Sequence, residues 1–175
     1  MFINRIKDHL NKTATITVMH SLILSYINYA ITIWGATNDT QLQRVQKLQN
    51  FAAKVALGGA RKQDHATPYL RELGWLKIKE KYQYEIALTV FKTFSKDIPN
   101  WVLSFPSLND VSNIETRYKG QLFIPKVNTN TGSKSLLIEG PKLWNSIPRN
   151  VRDANTVSGF KQRLKDHLLN QQFNK

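Results

Sequence analysis

The sequence predicts a mainly α protein: a helical bundle of four to five helices with a small β-hairpin in the C-terminal half. Apolar residues recur at three- and four-residue spacing over much of residues 1–104, which is the period of an amphipathic helix. Glycine, proline and capping residues separate these runs. Near residue 105 the composition shifts toward Asn, Ser, Thr and Gly. We therefore predict a helical region over residues 1–104, and a loop, hairpin and basic C-terminal helix over residues 105–175 that pack with it as one unit.

The first predicted helix is the apolar centre of the protein. Apolar pairs repeat from Val18 to Trp34 and form a broad face over about 20 residues, which Gly35 ends. No charged residue occurs between Lys12 and Asp39, a length that could cross a bilayer. Threonine, serine, histidine and asparagine side chains interrupt it, however. We predict a buried core helix, with Leu22, Tyr26 and Ile33 on its apolar face, and no membrane partner.

The next helices follow from caps and periodicity. The Asn38-Asp39-Thr40 run opens a second helix, whose buried side includes Val45, either Leu48 or Gln49, and Ala52. Thr67 and Pro68 are predicted to open a short helix, with the hydroxyl at the cap, and Gly74 to close it. A long helix is predicted over residues 75–94, with a buried apolar stripe that runs from Leu76 to Phe94.

The C-terminal half combines β and helical patterns. Two β-prone runs, residues 121–127 and 135–138, flank a turn-forming "NTNTG" and predict the hairpin. A helix is predicted over residues 155–169, opened by Thr156 or Ser158, with Phe160, Leu164 and Leu168 on its apolar face.

The residues that enzymes need are missing from the sequence. No cysteine is present, which excludes disulfides, thiolate zinc sites and cysteine nucleophiles. The acidic residues never form an adjacent pair, whereas two-metal sites need clustered carboxylates around ions roughly 4 Å apart. The four histidines lack the spacing that would place two ligands on one helix face, and no nucleophile elbow or phosphate-binding glycine loop occurs. We expect no catalytic residue, no metal and no cofactor.

The charge of the chain indicates an anionic partner. Lys and Arg number 25 against 12 Asp and Glu, so the net charge is +13, and it is spread along the sequence. This distribution suits nucleic acid. Tyr118 is either a base-stacking or a packed residue. The alternative interpretation of each candidate phosphate contact is a solvated surface charge. The candidates are Arg44, Lys47, Arg61, Lys62, Arg117, Lys119, Arg149, Arg152, Lys161, Arg163 and Lys165.

The stretch "GPKLWNSIP", residues 140–148, is interpreted as scaffold rather than a site. Pro141 is predicted to start a short helical turn, and Pro148 to end it because Ile147 before it is driven toward extended geometry. Trp144 packs to one side of that turn, and Asn145 is a backbone-bonding turn residue. The structural motif comprises Trp34, Gly35, Gly140, Pro141, Leu143, Trp144, Asn145 and Pro148.

Several stretches occur in an order that resembles the C-terminal part of non-LTR retrotransposon reverse transcriptases, including the jockey-like elements. They are "SLILSYINYAITIWG" (21–35), "LQRVQKLQNFAAKVALG" (42–58), "TPYLRELGWLKI" (67–78), "TR" (116–117), "GPKLWNSIPRNVR" (140–152) and "FKQRLKDHL" (160–168). The resemblance covers nearly the whole chain and implies the thumb and the segment beyond it, a helical element that grips the template-primer duplex. The family's palm motif, which ends in Asp-Asp, is absent, so the resemblance implies no polymerase activity for this chain.

The leading hypothesis is a non-catalytic nucleic-acid-binding fragment that contacts the backbone of RNA or an RNA-DNA duplex through Lys and Arg. The alternative is a protein-interaction or scaffold module that packs on a polymerase palm domain or self-associates. An independent hydrolase or polymerase lacks a candidate active site. The resemblance further implies a remnant open reading frame, a truncated copy or a co-opted domain, acting in the nucleus or cytoplasm.

Overall fold

The computed structural model of the protein describes residues 10–58, 64–111 and 120–174. It is mainly helical, as the sequence predicts. The chain divides into two compact units, Met1–Lys81 with Gln171–Lys175, and Tyr82–Asn170. No helix in the described part of the chain is both long enough and apolar enough to span a bilayer.

The first unit contains helices that are mostly shorter than expected. Their order is α1 (Lys12–Met19), a π-helical turn (His20–Leu24), α2 (Ser25–Asn28), α3 (Ile31–Trp34), α4 (Asp39–Ala56) and α5 (Thr67–Leu73), followed by the start of α6 (Ile78–Phe94).

The prediction of a single helix over residues 18–34 is wrong. The helix is interrupted at Ala30, which has a left-handed φ of 49°. The side chains of Thr17, Ser21 and Ser25 bond the carbonyl four residues back, a pattern that bends helices. The indole of Trp34 then donates to the Tyr29 carbonyl at 2.8 Å across the break. Apolar periodicity does not show where such a segment is interrupted.

The predicted buried face of this segment is also partly wrong. Met19, Ile23 and Ile27 are buried in the core with alanines of α4, but three residues assigned to the same face are exposed. The exposed fractions are 57% for Leu22, 85% for Tyr26 and 79% for Ile33.

Caps and helix ends in this unit agree better with the sequence. The Asn38 side chain accepts from the Gln41 N–H and so caps α4, as predicted. Gly74 closes α5 with a φ of 61°, a conformation that glycine adopts without strain. Thr67 is not the cap, because α5 already includes it and begins after Ala66.

Three glutamines hold the segment that leads into α6. Gln49 donates to the Leu76 carbonyl at 2.8 Å, and Gln46 accepts from the Ile78 N–H at 2.8 Å. Gln172 accepts from the Lys77 N–H at 2.7 Å and donates to the Trp75 carbonyl at 3.3 Å. These bonds satisfy backbone groups of residues 75–78. Residues 75–77 are not helical, so the predicted start of α6 at residue 75 is wrong.

The second unit contains the rest of α6, and then α7 (Leu108–Val111), α8 (Asn130–Ser133), α9 (Leu136–Ser146), α10 (Arg149–Arg152) and α11 (Val157–Phe173), whose last residues belong to the first unit. Phe160, Leu164 and Leu168 are buried, as predicted for the last helix.

The predicted β-hairpin is wrong. Leu122 forms an isolated antiparallel bridge with Ser107, and residues 136–138 are the first turn of α9. A short apolar run does not distinguish a strand from a buried helix, because both patterns contain it. Ser135 stands at the N-cap of α9 and Glu139 in its first turn, and both residue types favour a helix start.

The role predicted for Pro141 is also wrong. It lies inside α9 and does not begin it. A proline there removes one helical hydrogen bond, the bond to the carbonyl of Leu137, and Leu137 is 52% exposed. The end of the helix follows the prediction: Ile147 is extended, with ψ 133°, directly before Pro148.

Candidate nucleic-acid interface

The core beneath α10 is aromatic. The Phe91 and Phe160 rings stack with centroids 4.2 Å apart, and the Trp144 ring lies 5.9 Å from Phe160 and 6.4 Å from Phe91. Trp144 is only 6% exposed. Its indole N–H donates to the Gly120 carbonyl at 3.3 Å. Trp144 is thus fixed by both packing and a hydrogen bond.

Arg152 is attached to this aromatic core. Its Nη1 donates to the same Gly120 carbonyl at 3.0 Å, and its guanidinium carbon lies 5.9 Å from the Trp144 ring centroid. Burial lowers the pKa of the guanidinium, Arg149 lowers it further, and Asp153 opposes them. Its Nε is buried and, among the described residues, without a hydrogen-bond partner. Arg152 therefore acts mainly as a structural clamp, and its half-buried guanidinium keeps its full positive charge at neutral pH.

Two exposed arginines lie on α10 or against it. Arg149 is exposed on α10. Arg163 is exposed on α11, and its Nη1 donates to the Asn150 carbonyl of α10 at 3.0 Å. Arg149 and Arg152 therefore lie on one short helix, and Arg163 contacts its backbone. We call them the α10 arginine cluster.

The two lysines predicted on α11 point elsewhere. Lys161 and Lys165 are four residues apart and share a face, but each is two residues from Arg163, which is about 200° of helix rotation. Lys161 is exposed and Lys165 is half-buried. They flank α11 on the side away from the α10 arginine cluster.

The remaining predicted contacts belong to other parts of the chain. Arg44 and Lys47 are exposed one turn apart on α4 of the first unit, and an Arg44 Nη1 lies 3.4 Å from Gln41 Oε1. The predicted contacts outside the described residues are Arg61, Lys62, Arg117 and Lys119, together with Tyr118.

The residues of the predicted structural motif differ in burial and in their positions relative to the helices. Gly140 and Pro141 are buried, Leu143 is half-buried, and Pro148 precedes α10 at its N-cap. In the first unit, Gly35 ends α3 and Trp34 is half-buried.

One residue beside Trp144 differs from its prediction. Phe94, the last residue of α6, was expected in the buried stripe but is 48% exposed. Its ring lies 5.2 Å from that of Trp144, at an interplanar angle of 54°. The only sequence signal was its place at the end of an apolar stripe just before Ser95 and Lys96.

In the described part of the chain, no group of three or more His, Asp or Glu residues is placed to hold a metal ion. The chain was also compared with protein-family models, characterised proteins and solved structures, and no match was found in any of them.

Proposed function

We propose that the protein is a non-catalytic nucleic-acid-binding module that contacts the backbone of RNA or an RNA-DNA duplex with little base specificity. The observation that carries this proposal is the α10 arginine cluster. Arg149 and Arg163 are both exposed there, although 13 residues separate Arg163 from Asn150 in sequence. Guanidinium groups are suited to phosphate because their planar donors match its oxygens.

The net charge of the whole chain supports the same partner. A net charge of +13 attracts a polyanion from any direction, and the cluster gives it a place to bind. Contacts of this kind position a nucleic acid without reading its sequence. The resemblance to the thumb region of reverse transcriptases is consistent with such a role, while the chain lacks that family's Asp-Asp palm motif.

The test is the salt dependence of binding to a blunt RNA duplex. Arg149→Gln with Arg163→Gln is expected to weaken binding at low salt at least tenfold and to lower the salt slope by about two, since each phosphate contact contributes about one. Lys126→Gln with Lys134→Gln is the matched control, because both lysines are exposed in the same unit and the loss of charge is equal.

Equal losses in the two double variants would mean that only net charge matters and that the α10 arginine cluster is no site. Absence of wild-type binding at low ionic strength, or binding insensitive to salt, would refute nucleic-acid binding altogether. The free energy of unfolding of each variant is measured as well, because Arg163 also bonds to the Asn150 carbonyl.

A second candidate function, self-association, rests on a different observation. Exposed apolar side chains are concentrated in residues 22–33, where Tyr26 and Tyr29 are 85% and 80% exposed and Leu22 and Ile33 exceed half. We call these four residues the uncharged surface, because no charge occurs between Lys12 and Asp39. Copies that each carry +13 repel, so an uncharged surface is where a second copy would bind most easily.

Salt distinguishes the two functions. Screening weakens phosphate contacts but reduces the repulsion between copies, so self-association should strengthen with salt. Sedimentation of the wild type and of Tyr26→Glu measures it. A wild type that remains monomeric at high protein and salt concentration would refute self-association, and would leave a separate polymerase domain as the partner to test on this surface.

A further inference from the structure

Phe94 is the exposed aromatic residue closest to the α10 arginine cluster by the contacts that the structure shows. Its ring and the Arg152 guanidinium lie 5.2 Å and 5.9 Å from the same indole, that of Trp144. A nucleotide carries its base and its phosphate on opposite sides of one sugar. The ring and the guanidinium therefore lie against one tryptophan, so a short single strand can reach both.

The surface beneath Phe94 is held in place. Trp144 is packed against Phe91 and Phe160 and bonded to the Gly120 carbonyl. A ring supported in this way does not have to be ordered when a ligand binds, which reduces the entropic cost of binding. Phe94 itself keeps 48% of its surface exposed.

Charge separates Phe94 from the two exposed tyrosines of the first unit. Tyr26 and Tyr29 are more exposed, but they lie in the stretch without a charged residue. Proteins that bind single strands combine a basic groove with aromatic rings on which bases stack. The surface at Phe94 offers both parts, since its ring and the Arg152 guanidinium lie against the same indole.

We infer that Phe94 is a nucleobase-stacking position and that the site takes single-stranded nucleic acid, including the unpaired end of a duplex. The inference rests on the proposed function, because the arginines supply the phosphate contacts. It adds a preference, since a base must be unpaired and unstacked before it can lie on the ring.

The test compares a single-stranded RNA with a blunt duplex of the same sequence. Phe94→Leu keeps an apolar side chain but removes the ring, and it should weaken single-strand binding roughly fivefold or more while changing duplex binding less than about twofold. Phe94→Trp should bind the single strand at least as well as the wild type. Tyr26→Leu, which removes an aromatic ring from the uncharged surface, should have no effect.

A direct readout uses 2-aminopurine, whose fluorescence is quenched by stacking, at successive positions of the single strand. At least one position should be quenched by the wild type and by Phe94→Trp but not by Phe94→Leu. This readout remains informative if Phe94→Leu proves unstable, because the wild type and Phe94→Trp still report stacking.

The outcomes separate this inference from the proposed function. If Arg149→Gln with Arg163→Gln abolishes binding while Phe94→Leu binds both RNAs like the wild type and no position is quenched, the stacking site is refuted and the backbone contacts stand. If neither variant alters the salt-dependent affinity, both proposals fail.

Discussion

The side-chain amide of Asn145 pairs with both backbone groups of Leu122. Its Oδ1 accepts from the Leu122 N–H at 2.8 Å and its Nδ2 donates to the Leu122 carbonyl at 2.9 Å. On the other edge of this segment, Phe123 N–H donates to the Pro106 carbonyl and Leu108 N–H to the Gln121 carbonyl. Leu122 is only 4% exposed, so its backbone groups need such partners. The Asn145 side chain thus makes the two hydrogen bonds to Leu122 that a neighbouring strand would make in a sheet.

Asn145→Ala should lower the free energy of unfolding by about 1–3 kcal/mol, because two buried backbone groups lose their partners. Urea unfolding measures the change. Asn150→Ala is the matched control, since Asn150 is exposed and its side chain should contribute less than about 0.5 kcal/mol. Unchanged stability in Asn145→Ala together with lost RNA binding would instead make Asn145 a ligand contact.

Gln49→Ala should also destabilise the protein by about 1–3 kcal/mol, because Gln49 is 3% exposed and its amide is bonded to the Leu76 carbonyl. Gln43→Ala, an exposed glutamine on the same helix, is the control and should be nearly neutral. Comparable losses at both positions would indicate an effect of helix composition, and the clamp on residues 75–77 would then be unimportant.

Gly140→Ala tests how tightly α9 packs. In an open helix, alanine is favoured over glycine by roughly 0.5–1 kcal/mol. A methyl group at Gly140 would approach the Phe105 ring at 3.0 Å and Val90 Cγ2 at 3.1 Å, so we expect a loss of about 1–3 kcal/mol. Thermal unfolding gives the sign, and a stabilised variant would show that Phe105 and Val90 move aside easily.

Trp144→Ala should damage folding before it affects binding. The residue is buried among three phenylalanines, and truncating a large buried aromatic side chain typically costs about 3–5 kcal/mol. Trp101→Ala, at a site where the indole is 88% exposed, is the control for loss of a tryptophan. If Trp144→Ala unfolds like the wild type yet no longer binds RNA, the assignment of "GPKLWNSIP" to scaffold is wrong.

The two ends of α9 differ in how well the neighbouring sequence predicts them. The restriction that Pro148 places on Ile147 acts between neighbours in sequence, and the structure contains it as predicted. The start of the helix depends instead on how the apolar run at residues 136–138 packs. Asn145 was expected to bond within its own turn, but its partner Leu122 is 23 residues away.

The sequence by itself determined the helical class, the Asn38 cap, the Gly74 helix end and the apolar face of α11, because these depend on interactions within one or two helical turns. Only the tertiary structure decided that Gln49 and not Leu48 is buried, that Tyr26 is exposed, and that Arg163 lies beside α10. Those outcomes depend on which surface each helix meets. Periodicity states that a face is apolar, whereas the partner that covers it is set by contacts between residues far apart in the chain.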